Sequence, residues 1–267
     1  MSPTSSPKPT IVLIPGSFAL PEYYKGIVDG VVANGLEIHA LHLPSVGTGP
    51  NEGREGDVLP TLYDDAAHIA EEITRLADNG EDVILVTHSY GGAPGTQSVK
   101  GLAKKAREAE GKPGGLIRLA YLTSLVPSVG QTAAGVLADV PEEQRSEMQV
   151  DERGWLYHTN YKTSAALSFS DIPPEEGEAW AAKFTRHSSA SFNTPLTYAG
   201  YRDVPVSYLL CEDDLVIPKD VQEAEIAMIE RESGNKVHVT SIKSGHIPIL
   251  SMPQEVISWI TQTAEVA

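Results

Sequence analysis

The sequence has little cysteine, little positive charge and no long apolar run. Its single cysteine, Cys211, cannot form a disulfide within the chain, so we expect a reducing compartment, the cytoplasm. With 20 Lys and Arg against 36 Asp and Glu, the formal net charge is -16, which repels nucleic acids and anionic lipids. No run approaches the roughly 18 apolar residues that cross a bilayer. We therefore expect neither a nucleic-acid nor a membrane partner.

Cofactor motifs are absent as well. No group of His, Cys and Asp has the spacing of metal ligands. The glycine-rich segment 47–53 lacks both the spacing and the helix start that a dinucleotide loop needs. We predict a protein without metal or cofactor. Residues 1–9 are rich in Ser, Pro and Thr, lack the apolar stretch of a secretion signal, and are expected to form a disordered tail.

Short β-branched segments alternate with longer amphipathic patterns along most of the chain. This alternation predicts an α/β protein whose mostly parallel sheet has helices on both faces. The predicted strands are residues 10–14, 36–43, 82–86, 116–126, 204–211 and 236–242. The predicted helices include residues 21–34, 60–77, 92–110 and 219–232.

The alternation stops at residues 128–201. This segment has no clear strand, but it has short charged helical pieces and scattered aromatic residues. We interpret it as a helical cap inserted between two strands of one core, which comprises residues 10–127 and 202–267. Ligands of open α/β sheets bind beyond the carboxyl ends of the strands, so the cap is expected to cover that edge.

Ser89 stands between an apolar strand pattern and the start of a predicted helix. A sharp strand-to-helix turn, the nucleophile elbow, lifts a serine Oγ clear of the sheet and puts the next backbone N–H at a helix start. Ser45 and Ser128 also begin Ser-x-Gly patterns, but they lack this strand-and-helix context. Ser89 is the predicted nucleophile; a helix N-cap is the alternative role for a serine at this place.

Two later strand ends carry groups that could activate this serine. A serine needs a base to take its proton and an acid to orient that base. His246 follows the strand at residues 236–242, and Glu212, Asp213 and Asp214 follow the strand at residues 204–211. His246 is the predicted base, and the residues alone leave the choice among the three acids open.

Backbone N–H groups are expected to hold the oxyanion. Tyr90, directly after the nucleophile, supplies one donor at the helix start. The second donor comes from the loop after the first strand, where Gly16 lets a substrate approach closely. The N–H of Ser17 is the first choice for this donor and that of Phe18 the second.

These motifs together resemble the α/β-hydrolase superfamily. The loop at residues 15–17, the elbow at residues 87–92, the strand end at residues 211–218 and the loop at residues 244–248 resemble, more narrowly, its small cofactor-free branch of plant methylesterases and hydroxynitrile lyases, with fungal and bacterial relatives. On that branch's pattern the catalytic acid falls on Asp214.

The chain departs from the branch at two positions and resembles its esterases at two others. Pro15 replaces the usual His of the first loop, and Thr87 replaces the Gly two residues before the nucleophile. Hydroxynitrile lyases of the branch carry Thr and Lys where this chain has Gly16 and Ile247, so the resemblance implies an esterase.

The leading hypothesis is therefore a serine hydrolase that cleaves a small carboxylic ester or lactone through an acyl-enzyme. One alternative is a lyase, dehydratase or cyclase of a biosynthetic pathway on the same scaffold. A second alternative is a ligand-binding receptor that retains a slow triad. The oligomeric state stays open, with a homodimer as the assembly considered.

Overall fold

Six parallel strands form the central sheet of the computed structural model, which describes residues 8–266. Most of the predicted tail at residues 1–9 thus lies outside the described residues. The strand order is β2-β1-β3-β4-β8-β9. The strands are β1 (Thr10–Ile14), β2 (Glu37–Ala40), β3 (Asp82–Ser89), β4 (Gly115–Ser124), β8 (Val206–Cys211) and β9 (His238–Ile242). Each predicted strand is present, and the mostly parallel sheet is confirmed.

Helices follow most of these strands. They are α1 (Lys25–Ala33), α2 (Leu62–Asp78), α3 (Gly92–Ser98), α4 (Lys104–Ala109), α9 (Lys219–Ser233), α10 (Pro248–Ser251) and α11 (Pro253–Glu265). The prediction of one helix at residues 92–110 was wrong, because a turn separates α3 from α4. Gly101, in that turn, has a φ of 77°, a conformation that ends a helix. Within residues 8–266, no helix combines the length and the apolar composition that crossing a membrane requires.

The sheet has an apolar core on each face, as a buried parallel sheet requires. On one face, Val12 and Leu85 pack with side chains of α2 and α9, such as Ile69 and Ile229. On the other face, the alternate residues of the same strands pack with α1 and α11. Because successive residues of a strand point to opposite faces, the continuous apolar runs of β1 and β3 serve both cores.

The segment at residues 128–201 has helices and a small sheet of its own. Its helices are α5 (Ala133–Val136), α6 (Tyr161–Ser168), α7 (Pro174–Ala181) and α8 (Ser189–Asn193). Its strands, β5 (Met148–Val150), β6 (Trp155–His158) and β7 (His187–Ser188), form an antiparallel sheet. The expectation of no strand here was wrong. Strands of two to four residues are too short for alternation to reveal them.

Candidate active site

Ser89 is the last residue of β3, and its backbone has a φ of 52°. A non-glycine residue in this left-handed region is strained, and such strain is typical of a nucleophile elbow. Small residues make the turn fit: a Cβ on Gly91 would lie 2.8 Å from the carbonyl oxygen of Pro15, and one on Gly92 would lie 2.6 Å from that of Leu125. Both contacts are too close for any other residue type.

Thr87 occupies the position where glycine is usual in the branch of plant methylesterases and hydroxynitrile lyases. Gly95 leaves the space that the threonine side chain needs. A Cβ on Gly95, in α3, would lie 2.6 Å from Cγ2 of Thr87. The threonine methyl group therefore fills the space that a side chain at residue 95 would need. Oγ1 of Thr87 lies 3.1 Å from Oγ of Ser124, so the hydroxyl is also partnered. This exchange explains how the elbow keeps its shape without the usual glycine.

The three predicted catalytic side chains form one hydrogen-bonded row. Nε2 of His246 lies 2.9 Å from Oγ of Ser89, and its Nδ1 lies 2.7 Å from Oδ2 of Asp214. Since a carboxylate only accepts, Nδ1 holds the ring proton and Nε2 accepts from the serine hydroxyl. All three residues are buried. The structure brings Asp214 into this row, whereas Asp213 is exposed on the surface.

Asp214 is held in place by four donors. Besides His246, its carboxylate accepts from Oγ1 of Thr123 at 2.5 Å and from the backbone N–H groups of Val216 at 2.7 Å and Ile217 at 2.9 Å. Burial alone would raise the pKa of Asp214. The positive charge that His246 carries when protonated and the hydrogen bonds to the carboxylate outweigh burial, and they hold the pKa of Asp214 below its usual value. The carboxylate thus stays ionised beside the imidazole.

The loop after β1 offers three backbone N–H groups, and two are already used. The N–H of Gly16 donates to the hydroxyl of Tyr24 at 2.8 Å. That of Phe18 donates to Nδ1 of His187 at 3.4 Å. Among residues 8–266, neither the N–H of Ser17 nor that of Tyr90 has a hydrogen-bond partner. The N–H groups of Ser17 and Tyr90, the two predicted oxyanion donors, are therefore left unpaired within the described part of the chain.

Residues of the inserted segment hold the loop beside Ser17. Phe18 has a φ of 60°, an unusual conformation for a phenylalanine. His187 accepts its N–H, and the N–H of Thr185 donates to its carbonyl oxygen at 3.0 Å. Burial lowers the pKa of His187 to about 3, so the ring stays neutral and can accept. The inserted segment thereby fixes the conformation of the oxyanion loop.

The side chain of Tyr90 is held by a hydrogen bond to Asp65. Its hydroxyl donates to Oδ2 of Asp65 at 2.7 Å, and Oδ1 of Asp65 accepts the N–H of Ser45 at 2.8 Å. Burial raises the pKa of Asp65 to about 6. This buried carboxyl, in the first turn of α2, ties the residue after the nucleophile to a second helix.

His88, beside Ser89, links the loop after β1 to His246. Burial, and then the nearby His246, lowers the pKa of His88 to about 3, so its ring is neutral. Its Nε2 lies 2.8 Å from the carbonyl oxygen of His246 and must donate, which leaves Nδ1 to accept from the hydroxyl of Tyr24 at 2.6 Å. The same hydroxyl accepts the N–H of Gly16. One chain of hydrogen bonds therefore runs from the loop after β1 to His246.

A mostly apolar cavity lies beside Ser89 and His246. Its volume is about 150 Å³. The sheet edge provides one wall, and the inserted segment provides the other, with side chains that include Leu137, Val140, Phe184 and Phe192. His158 lines this cavity, whereas His187 is fully buried and does not line it.

Sequence reasoning missed three residues of this site. Thr123 lies near the end of β4, at the same sheet edge as Ser89, so its position was a usable signal. Tyr24 belongs to a single helical turn before α1, and its contact with His88 spans 64 residues. The contact of His187 with Phe18 spans 169 residues. Such long-range contacts follow from packing and leave no local pattern.

Comparison with known proteins assigns the family. A profile described as "Alpha/beta hydrolase family" matches residues 11–259. "Probable hydrolase R7" of Phoma sp. is 32% identical over 257 residues, 96% of this chain and 98% of that protein. The structure of a pyrethroid hydrolase from Sphingobium faniae matches with a TM-score of 0.72 and 25% identity, over 96% of this chain and 97% of that chain.

A protein that is named as an esterase has the same fold. The structure of polyneuridine aldehyde esterase matches with a TM-score of 0.73 and 16% identity, over 97% of this chain and 100% of that chain. At this identity the likeness concerns the fold alone. The profile match covers nearly the whole described chain, and it confirms the resemblance that the motifs carry. The chain therefore belongs to the α/β-hydrolase family.

Proposed function

We propose that this protein hydrolyses a carboxylic ester or lactone of a small, largely apolar molecule, with Ser89 as nucleophile. The observation that carries the proposal is the hydrogen-bonded row from Ser89 through His246 to Asp214, at the edge of an apolar cavity. A serine gains nucleophilicity when an imidazole accepts its proton, and Nε2 of His246 lies 2.9 Å from Oγ of Ser89.

In the first half-reaction, Oγ of Ser89 attacks the substrate carbonyl carbon while Nε2 of His246 takes the hydroxyl proton. The imidazolium that forms is stabilised by the ionised Asp214, which also fixes the proton of Nδ1. The backbone N–H groups of Ser17 and Tyr90 bind the negative oxygen of the tetrahedral intermediate. Each such donor contributes about 3–4 kcal/mol in comparable enzymes.

Collapse of this intermediate releases the alcohol. His246 gives its proton to the leaving oxygen, and the acyl group stays on Ser89. Water then enters, His246 takes a proton from it, and the carboxylic acid leaves as Oγ recovers its hydrogen. For a lactone, the leaving alcohol remains attached to the acyl group.

The nature of the substrate is proposed from the cavity wall and one relative. Apolar side chains form most of the wall, which suits a substrate with little charge. The relative from Sphingobium faniae is named as a pyrethroid hydrolase, so we propose an ester with apolar groups here too. We further propose a cytoplasmic enzyme without a nucleic-acid or membrane partner; a homodimer stays a prediction.

A fluorophosphonate probe tests the nucleophile. Peptide mass spectrometry of the labelled, folded protein is expected to find the adduct on Ser89. Ser89→Ala should abolish labelling, and the control Ser128→Ala, in another Ser-x-Gly pattern, should label normally. A folded protein without an adduct on Ser89 would contradict the proposal. A panel of esters without turnover, together with activity on the native substrate that survives Ser89→Ala, would instead favour a non-hydrolytic reaction of the scaffold.

A further inference from the structure

His158, on β6, has a buried ring nitrogen without a hydrogen-bond partner. Four buried side-chain nitrogen or oxygen atoms in residues 8–266 lack a partner, and of these only Nε2 of His158 belongs to a residue that lines the cavity. The residue is only 9% exposed. A buried polar atom without a partner costs folding free energy, so this one calls for an explanation.

The other ring nitrogen determines where the proton of His158 lies. Nδ1 is 2.7 Å from Oγ of Ser164, and that hydroxyl donates its only proton to the carbonyl oxygen of Asn160 at 2.9 Å. Ser164 therefore accepts from Nδ1, which holds the ring proton. Burial lowers the pKa of His158 to about 4, so the ring is neutral near pH 7. Nε2 is left with a free lone pair and can only accept.

The neighbours of His158 cannot satisfy this lone pair. The ring of Phe18 lies 4.5 Å away and that of Phe184 lies 4.9 Å away, measured between ring centroids. Neither phenylalanine ring has an N–H or O–H group that could donate to the lone pair. Nε2 itself exposes less than 1 Å² of surface, so a donor that enters the cavity reaches it only when the side chains around it shift.

We propose that Nε2 of His158 accepts a hydrogen bond from a hydroxyl or N–H group of the substrate, so that the enzyme selects esters or lactones carrying such a donor. The proposal rests on the hydrolysis at Ser89 argued above. Since His158 packs on Phe18, which follows the oxyanion donor Ser17, the recognised group lies on the oxyanion-loop side of the cavity. A site built to pair with a donor discriminates strongly against an analogue that lacks it.

Three matched nitrophenyl esters test this inference. One has a plain straight-chain acyl group, the second adds a hydroxyl at varied positions, and the third carries the methyl ether of that hydroxyl. The wild-type enzyme should show a kcat/KM about tenfold or more higher for one of the hydroxyl esters than for its methyl ether.

Two substitutions of His158 separate recognition from folding. In His158→Asn, an amide N–H can still donate to Ser164, but no atom replaces Nε2, so the hydroxyl preference should fall to about one. In His158→Gln, an amide oxygen reaches close to the position of Nε2, and part of the preference should return. Fluorophosphonate labelling of Ser89 checks that each variant has a folded site.

The outcomes distinguish this inference from the proposed function. Hydrolysis without a hydroxyl preference in the wild type, or a preference that His158→Asn leaves intact, overturns the inference and leaves hydrolysis at Ser89 standing. If every ester fails and Ser89 takes no label, the proposed function fails and the inference fails with it. A preference lost in His158→Asn and partly restored in His158→Gln supports it.

Discussion

The two walls of the cavity differ in how their polar groups are partnered. On the sheet-edge wall, the proposed reacting side chains bond to one another, and Asp214 accepts from four donors. On the wall contributed by residues 128–201, the side chains are mostly apolar, and Nε2 of His158 has no partner. Within the part of the chain that the structure describes, the proposed reacting side chains of the first wall are paired with one another, although the backbone N–H groups of Ser17 and Tyr90 there are not, whereas the second wall has an unpaired side-chain acceptor.

This difference separates two kinds of substitution. A change in the sheet-edge wall should lower turnover of every ester alike, because it disturbs groups that act on the ester bond itself. A change in the other wall should alter which ester is preferred, because it disturbs contacts with the rest of the substrate. A variant that lowers the turnover of every ester and also changes the preference between esters would contradict this separation of the two walls.

The largest effect is expected from Asp214→Asn. The amide would present N–H toward Nδ1 of His246, which forces the ring proton to Nε2 and removes the acceptor that Ser89 needs. A similar change in another triad lowers kcat about 10⁴-fold. Steady-state kinetics with nitrophenyl esters measures the loss, and the exposed neighbour serves as a control: Asp213→Asn should keep kcat within about twofold. Equal losses in both variants would contradict the assignment of the acid.

The sheet-edge wall was largely predictable, and the reason lies in parallel strands. Ser89, Asp214 and His246 are far apart in sequence, but each follows a strand whose apolar pattern is visible. Parallel strands place their carboxyl ends at one edge, so the convergence of these residues follows from the strand pattern alone.

The other wall could not be predicted in the same way. Its strands β5, β6 and β7 have only two to four residues, and all three residues of β5 are exposed. Its contacts with the oxyanion loop, such as that of His187 with Phe18, depend on how the segment packs over the core. Local patterns carry no information on such packing, so tertiary structure was needed.

An intermediate effect is expected from Tyr24→Phe. This change leaves the N–H of Gly16 and Nδ1 of His88 without their shared partner, and each unpartnered buried group costs about 1–3 kcal/mol. If half or more of that cost appears in the transition state, kcat falls about 10- to 100-fold for every ester, with a smaller change in KM.

Tyr23→Phe is the matched control for this comparison. The hydroxyl of Tyr23, the preceding residue, donates to the carbonyl oxygen of Trp180 in the inserted segment at 3.0 Å. Its loss should change KM more than kcat, because it loosens the substrate wall and leaves the catalytic row intact. Steady-state kinetics of Tyr24→Phe and Tyr23→Phe measures the changes in kcat and KM separately. If kcat and KM change in the same proportion in both variants, the two walls do not act separately.

A smaller effect, on stability, is expected from Gly95→Ala. The new methyl group would lie 2.6 Å from Cγ2 of Thr87, and such overpacking costs about 1–3 kcal/mol of unfolding free energy. Thr87→Ser removes the methyl group and keeps the hydroxyl near Ser124, so the double variant should recover most of the loss. Urea unfolding of the wild type, the two single variants and the double variant gives the coupling free energy between residues 87 and 95. Additive losses would contradict the exchange of space between Thr87 and Gly95.

The smallest effect on turnover is expected from Glu225→Gln, which tests a polar group of the core away from the catalytic row. The carboxyl of Glu225 accepts the N–H of Val126 at 2.6 Å and lies 3.0 Å from the hydroxyl of Tyr208. Burial raises the pKa of Glu225 from 4.5 to about 8. The native protein thus keeps a proton that the unfolded chain loses above its lower pKa. The contribution of this proton to the free energy of unfolding is fully present below pH 4.5. It is lost as the pH rises toward 8, by at most about 1.4 kcal/mol per pH unit.

A glutamine keeps the same hydrogen bonds without a titrating proton. Glu225→Gln should therefore flatten the fall in unfolding free energy between about pH 5 and pH 8 and leave kcat unchanged. Urea unfolding across this range measures the slope, with Glu223→Gln, exposed on the same helix, as the control that should keep the wild-type slope. An unchanged slope in Glu225→Gln would mean that this carboxyl is ionised in the native protein.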